Sequence, residues 1–414
     1  MKKVLSIIFL GLCAFAGIQA GEGSSEVTAR SGRPADTQLL RATDLEDEAL
    51  ALEGVKAALA AGADIEAPCS ELAQTPLMYA ARRGFTTVVD HLLACGAKVN
   101  AQSDGWTALM QAATQHKVET VKTLLAHKAD PNLVSGTGCT ALGLLIELGK
   151  KIGPDLHRSE EAKATIILLL EAGIAIDAPA YRDYTPLELA ALYDDEWMVT
   201  KFLEYNPNIL QADSSSRTVF DSVRSSKIAK LLLDRVLAST ADVNQRAKNG
   251  ETLLMLAAKS GCADTVKVLL DKGANILLTT TTSPYRTAIA MVKTPEVTAI
   301  LENTLGLFAS AQSGHSESAE KELVQGARVN ARDNFGMTPL MYAAAKGCTP
   351  IVDAILKTTD VELNYRNIND QTAYMLAAIN DHTAIADTLK AAGAEITADD
   401  LKKIAELARE KAEK

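Results

Sequence analysis

Six histidines and six cysteines are the residues of this 414-residue chain best suited to metal or nucleophilic chemistry. The histidines are His91, His116, His127, His157, His315 and His382. No pair of them has helical ligand spacing with a third ligand nearby, so no zinc-type site is assigned. Beyond Cys13 the cysteines are Cys69, Cys95, Cys139, Cys262 and Cys348, none in C-x-x-C spacing. The patterns G-x-S-x-G, H-E-x-x-H and the Walker loop do not occur. Aspartates and glutamates are many, yet no isolated pair suggests a cleft. No catalytic residue, cofactor or metal ligand follows. An enzyme reading would need a composite pocket, in the groove between elements or in the stretch 150–161.

Met78, Met110, Met255, Met341 and Met375 share another regularity: each falls three residues after a threonine. Exposed thioethers would suit copper binding or oxidation sensing. At a constant helical register they are read instead as core or groove packing.

The threonines themselves reveal the elements that position everything else. Thr75, Thr107, Thr140, Thr185, Thr218, Thr252, Thr287, Thr338 and Thr372 recur at about 33 residues, apart from two longer gaps. The clearest unit, 329–356, reads V-N-A-R-D-N-F-G-M-T-P-L-M-Y-A-A-A-K-G-C-T-P-I-V-D-A-I-L. Thr338 can cap a helix whose first position, Pro339, is pre-set for it. Gly347 ends that helix. Thr349-Pro350 repeats the start signal. Ile351, Val352, Ile355 and Leu356 stripe one face of a second helix. Asn, Asp and Gly before Thr338 make a turn. One such unit cannot bury its apolar face, so it needs its copies.

A period near 33 carrying T-P-L-x-x-A-A-x-x-G resembles the ankyrin repeat. The match is close at Thr75 and Thr338, good at Thr185 and Thr252, and loose at Thr140, Thr218, Thr287 and Thr372. The expected fold is all-α: an ankyrin-repeat solenoid of about eleven helix-loop-helix units with short loop hairpins. Aromatic residues make up only 4%, which suits close helix stacking through alanine.

The first 20 residues differ from the rest. Lys2 and Lys3 precede an apolar run, 4–18, with small residues at Ala20 and Gly21. This is the pattern of a secretory signal peptide. A lipoprotein reading would need Cys13, but Leu12 before it is too large. Loss of Lys2 and Lys3 moves the net charge from −10 to −12. An acidic chain without a basic-aromatic block argues against nucleic acid as partner. No later run is long and apolar enough to span a bilayer.

In order, 1–20 is read as signal peptide, 21–36 as a disordered linker, 37–397 as the repeat array and 398–414 as a C-terminal capping helix. The unit 138–180 is enlarged by 150–161, read as a surface excursion. The units starting at Thr218 and Thr287 are compressed. A unit at 305–331 lacks its threonine, with helices expected at 305–313 and 316–324 and one loop tip missing before it. Thr397-Ala398-Asp399-Asp400 resembles a capping box. Cys262 and Cys348 fill one slot, after Gly261 and Gly347. A disulfide needs Cα atoms within about 7 Å, and stacked helices stand about 8–10 Å apart. Free thiols are therefore expected; only Cys69 and Cys95, in neighbouring units, are not excluded as a pair by separation.

Partner contacts are sought where the resemblance puts them, on loop tips and the adjoining short helices of the concave face. Trp106, Tyr181, Tyr184, Tyr285, Phe335 and Tyr365 lie there, with Arg182, Arg217, Arg246, Arg286, Arg332 and Arg366; Arg82 and Arg83 lie on a short helix. Aromatics and arginine are typical interface anchors. Arg246, Arg332 and Arg366 share one repeat slot, so a scaffold role competes with binding at each. The functional expectation is a monomeric, non-catalytic protein in the cell envelope or secreted, binding a protein partner. Some exported bacterial proteins that this chain resembles support an oxidative-stress enzyme, which makes such an accessory role the second expectation.

Overall fold

A computed structural model describes residues 32–68, 73–152, 159–240 and 242–412. The signal-peptide reading, most of the 21–36 linker, Cys69, His157 and the centre of 150–161 lie outside the described residues. The end of that linker is structured. Pro34–Thr43 is a helix, and Asp36 within it is buried, accepting from Arg33 Nε at 2.8 Å and from the Asp64 N–H at 2.8 Å.

The chain divides into two compact units, the first running to Ala175 with Ala180–Arg182, the second holding Ile176–Pro179 and Asp183–Lys414. Each is built of short antiparallel helix pairs, and the described residues contain only isolated β-bridges in place of strands. In the first unit the pairs are Pro34–Thr43 with Glu48–Ala60, Pro76–Arg83 with Thr86–Ala94, Ala108–Thr114 with Val118–Ala126, and Ala141–Ile152 with Glu160–Glu171. First helices stack on first helices and second on second, so Leu77, Leu109 and Leu142 share a core with Val88, Val121 and Ile166.

The threonines do what their spacing implies. The hydroxyls of Thr75, Thr107, Thr252, Thr338 and Thr372 accept the N–H groups of Met78, Met110, Met255, Met341 and Met375 at 3.2–3.4 Å. All five methionine side chains are buried. Cap and core residue therefore come as one local pair, which is why they recur together. At two of the loose units the helix shrinks, whereas Thr140 starts the twelve-residue helix Ala141–Ile152 and Thr372 the seven-residue Ala373–Ile379. Thr218 starts the four-residue helix Val219–Ser222, and Thr287 makes no side-chain cap and starts only the 3-10 turn Ala288–Met291.

Gly347 ends Pro339–Lys346 at φ 81°, and a Cβ there would lie 2.6 Å from the His382 ring of the next repeat. Glycine thus serves both the left-handed turn and the stacking. His116, Asp194 and Asp381 occupy the same slot at φ 54–63°. The second helix, Thr349–Leu356, is capped differently from the expectation. Its N-cap is Cys348, which makes no side-chain cap, and Thr349 is already helical.

In the second unit the pairs are Pro186–Leu192 with Glu196–Leu203, Val219–Ser222 with Ser226–Ser239, Leu253–Lys259 with Ala263–Asp271, Pro339–Lys346 with Thr349–Leu356, and Ala373–Ile379 with Thr383–Ala391. One expectation is corrected between them. The separate helix expected at 305–313 is the second half of a single helix, Pro295–Ser313. Its first half packs on Ala263–Asp271 as a second helix; its second half packs on Pro339–Lys346 as a first helix and pairs with Ser316–Val324. No Gly or Pro interrupts 296–305, so nothing breaks the helix there. The loop tip expected to be missing is absorbed into that helix.

Ala398–Ala412 closes the second unit against Ala373–Ile379. Its start is the expected box: the Thr397 N–H donates to Asp400 at 2.9 Å, and the Asp400 N–H to Thr397 Oγ1 at 3.1 Å.

Candidate partner-binding site

The loop tips are shaped by one side chain each. Asp333 Oδ1 accepts the N–H groups of Phe335 at 2.8 Å and Met337 at 2.9 Å. Its Oδ2 accepts the Tyr342 hydroxyl at 2.7 Å. Asn367 repeats the device, accepting from Asn369 at 3.0 Å and Gln371 at 2.9 Å. Such Asx turns commit the polar side chain inward. Phe335, the second residue after Asp333, and Ile368, the first after Asn367, are left outside. Phe335 is 60% exposed and Ile368 68% exposed. The Ile368 N–H donates to the Phe335 carbonyl at 2.9 Å, so the two tips adjoin.

The arginines behave otherwise. Arg332 donates to the carbonyls of Gly336 and Arg366 and lies 5.2 Å over the Tyr365 ring, whose hydroxyl donates to Asp271 O at 3.4 Å. Arg366 grips Asp400 with two nitrogens at 3.0 Å. Arg246 donates to Gly250 O at 2.6 Å and to Thr279 O at 2.9 Å. Arg217 is paired with Asp213 at 2.7 Å and lies 5.1 Å over Tyr184. These guanidinium groups tie one tip to the next or fold a tip on itself. The competing scaffold role is therefore the one their contacts display. Tyr285 and Arg286 are exposed on the following tip.

In the first unit Trp106 is half-buried in a tight turn, exchanging backbone bonds with Ser103 at 2.8 and 3.0 Å. Arg82 pairs with Asp44 at 3.5 Å and lies over Tyr79. Arg83 donates to Leu45 O at 2.9 Å and lies over Phe85. Arg182 is exposed, 5.2 Å over Tyr181. Among the expected residues only Phe335 and Tyr285 are large, apolar and strongly exposed.

Ile368 was missed. Its signal was available: an aliphatic residue inside N-I-N-D, a stretch of turn formers with no core position to fill. The Asp333–Tyr342 bond was not legible, since it joins loop to helix. Burial and that bond push the Tyr342 hydroxyl up to about 12, so it stays a donor at neutral pH.

Among the described residues no three His, Cys, Asp or Glu side chains converge as a metal site requires, and no helix is long and apolar enough to cross a membrane.

A family model for ankyrin repeats in three copies matches 48–135, 219–280 and 307–400, more than half of the chain. The stretches between contain the enlarged unit and the start of the fused helix. Human mitochondrial disaggregase is 32% identical over 197 residues, 42% of this chain and 28% of that protein. Human ankyrin repeat and SOCS box protein 16 is 28% identical over 207 residues, 48% of this chain and 43% of that protein. Alpha-latrotoxin-Lt1a of Latrodectus tredecimguttatus is 25% identical over 283 residues, 67% of this chain and 19% of that protein. The chain spans less than half the length of each of these relatives. The crystal structure of the human ASB11 ankyrin repeat domain aligns at a TM-score of 0.40 and 21% identity, covering 55% of this chain and 97% of that one. With the family model spread over both units and its capping threonines in place, this chain belongs to the ankyrin repeat family.

Proposed function

We propose that this chain is a non-catalytic protein that binds another protein through its loop tips, and that it does so after export to the cell envelope or the exterior. Ankyrin repeats generally mediate protein–protein interaction. One observation carries the choice of surface: Phe335 and Ile368 stand exposed side by side on adjoining tips. Desolvating a pair of large apolar side chains on association contributes more than freeing an arginine already bound within its own fold. The arginines of these tips hold the apolar residues in place.

Site-specific photocrosslinking tests the reading. A crosslinking amino acid replaces Phe335 in the full chain, and a second variant carries it at Val324, which is 89% exposed on the helix Ser316–Val324. The expected result is one covalent protein partner from position 335 and none from position 324. Equal capture at both positions, or none at 335 from cells that express the partner, overturns the reading. Export rests on the pattern of 1–20, and N-terminal sequencing of the protein recovered outside the cytoplasm checks it. A start after about residue 20 is expected; an intact Met1 overturns it.

A further inference from the structure

Arg217 and Arg286 each stand directly before a repeat threonine, and their tips are closed alike. The Asp213 N–H donates to Arg217 O at 2.8 Å, and the Arg217 N–H to Asp213 Oδ1 at 2.9 Å. In the later tip the Thr280 N–H donates to Arg286 O at 2.9 Å, and the Arg286 N–H to Thr280 Oγ1 at 3.1 Å. Thr280 thus takes the place of Asp213 in the turn, but it brings a hydroxyl where Asp213 brings a carboxylate. The Arg217 guanidinium is held by Asp213 Oδ2 at 2.7 Å. The Arg286 guanidinium is exposed and has no hydrogen-bond or ion-pair partner among the described residues.

The tips on either side add charge of the same sign. Arg246 donates to Thr279 O at 2.9 Å, and a Cβ at Gly250 would lie 1.9 Å from Thr281 Oγ1, so the tip 246–251 adjoins the tip 280–286. Asn275 Nδ2 donates to Asn334 Oδ1 at 3.2 Å, which ties the root of the tip 280–286 to the tip 332–337. These three tips hold four basic residues, Arg246, Lys248, Arg286 and Arg332, against two acidic ones, Glu251 and Asp333. Both acids are buried. Glu251 is bound by Lys259 at 3.0 Å, and Asp333 by the N–H groups of its own turn. Arg246 and Arg332 are held by backbone carbonyls, which do not cancel their charge. Lys248 is exposed and, like Arg286, has no side-chain partner among the described residues. The acids on the next tips outward are ion-paired, Asp213 with Arg217 and Asp370 with Lys403. A chain of net charge −10 therefore carries a local patch of opposite sign, and Tyr285 and Phe335 on the same tips are 69% and 60% exposed.

We propose that the tips bearing Lys248, Arg286 and Phe335 dock a short acidic segment of a partner protein, with carboxylates on either side of an apolar centre. This deepens the protein-binding reading and rests on it. The carboxylates meet Lys248 and Arg286, whose planar fork suits a two-pronged contact. The centre covers Tyr285 and Phe335. An arginine bound inside its own fold must give up that bond to take a partner; Arg286 gives up none. Exposed charges more than about 8 Å apart are largely screened at physiological salt, so a short segment responds to the patch and not to the acidic remainder. A long polyanion such as nucleic acid extends over that remainder and is repelled.

The test uses the full chain and four fluorescent probes, read by anisotropy. Three are synthetic peptides with one phenylalanine-leucine centre, flanked by glutamates, by glutamines or by lysines. The fourth is a single-stranded oligothymidylate. The glutamate peptide is expected to bind tightest, each other probe about tenfold weaker or more, and added salt to weaken the glutamate peptide most. The combined change Arg286→Gln and Lys248→Gln lowers its affinity by about tenfold or more. Arg224→Gln removes the same charge from an exposed site in the reversal before Ser226–Ser239, and leaves the affinity unchanged. Neither Arg286 nor Lys248 has an internal side-chain partner to lose, so the double variant melts close to the parent; Arg286→Gln alone serves if it does not. Equal binding of the glutamine peptide, the lysine peptide or the oligothymidylate overturns the proposal. So does an unaffected double variant, or an equal loss in Arg224→Gln. If no probe binds but position 335 still crosslinks a protein, this inference fails while the protein-binding reading stands.

Discussion

The N–H of Ile276 donates to the carbonyl of Arg332 at 3.0 Å, and the Arg332 N–H donates to Ala274 O at 3.2 Å. Two loops that an ordinary array would separate by a further tip are thereby joined. The join exists because Pro295–Ser313 runs unbroken through the place where that tip would emerge. Arg328 and Asp271 close the same gap as a two-pronged ion pair, with Nε to Oδ1 at 2.7 Å.

That pair is about two-thirds buried on both sides, which gives the first prediction. Arg328→Met leaves the Asp271 carboxylate without its donors. Hydrogen bonds to charged groups contribute about 1.5–3 kcal/mol. A loss of that order is expected in urea unfolding of the second unit, followed by a probe placed in it. An unchanged midpoint would show that the join at Ile276 is sufficient alone.

Thr338 and Thr287 stand at equivalent places but do different work. Thr338→Ala removes a hydroxyl that accepts the Met341 N–H, and a loss of about 1 kcal/mol is expected. Thr287 makes no such bond, so Thr287→Ala is expected to change the melt far less. Equal losses at the two sites would refute the capping account.

Gly347→Ala combines a left-handed backbone with a Cβ 2.6 Å from the His382 ring. The His382 imidazole also meets Ala345 O at 3.2 Å, so it cannot simply swing away without losing that bond. The expected loss exceeds the roughly 1 kcal/mol of a helical alanine-to-glycine difference. Pairing the change with His382→Ala should recover part of it in a double-variant melt.

Four cysteines are described and all are free, but they differ in reach. Cys95 is exposed. Cys139 is buried, and Cys262 is buried with its thiol donating to Ser226 O at 3.1 Å. Burial pushes the Cys262 thiol up to about 11, so almost none is thiolate at neutral pH. A thiol reagent followed by peptide mass mapping should label Cys95 first and Cys262 only on unfolding. Early labelling of Cys262 would contradict its burial.

The closing helix should respond to acid. The Asp400 carboxyl is held below its ordinary value of 3.8, chiefly by the Thr397 N–H and also by Arg366. A depressed folded value means that its contribution is present above 3.8 and is lost as pH falls through the lower folded value. Hydrogen exchange across 398–412 should quicken in that acid range before the rest of the second unit. Asp400→Asn should remove the dependence and quicken exchange at neutral pH.

The repeat, the threonine caps of its first helices and its reversals were legible in the residues alone; the start of the second helix at Cys348 was not. A threonine hydroxyl meets an N–H three positions on, and a glycine ends its own helix; both are local, so the pattern survives in one dimension. The fused helix was half legible: the missing tip followed from the short spacing, but its two helices became one because nothing in 296–305 breaks them. The roles of the tip residues were not legible. Arg366 looked like an anchor until Asp400, thirty-four residues later, was seen to hold it. Ile368 was not singled out at all, and only its surroundings show that it is left uncovered. Local hydrogen bonding is written along the chain. Which arginine is already bound and which apolar side chain stays exposed depends on what the next repeat brings alongside, and only the tertiary structure decides that.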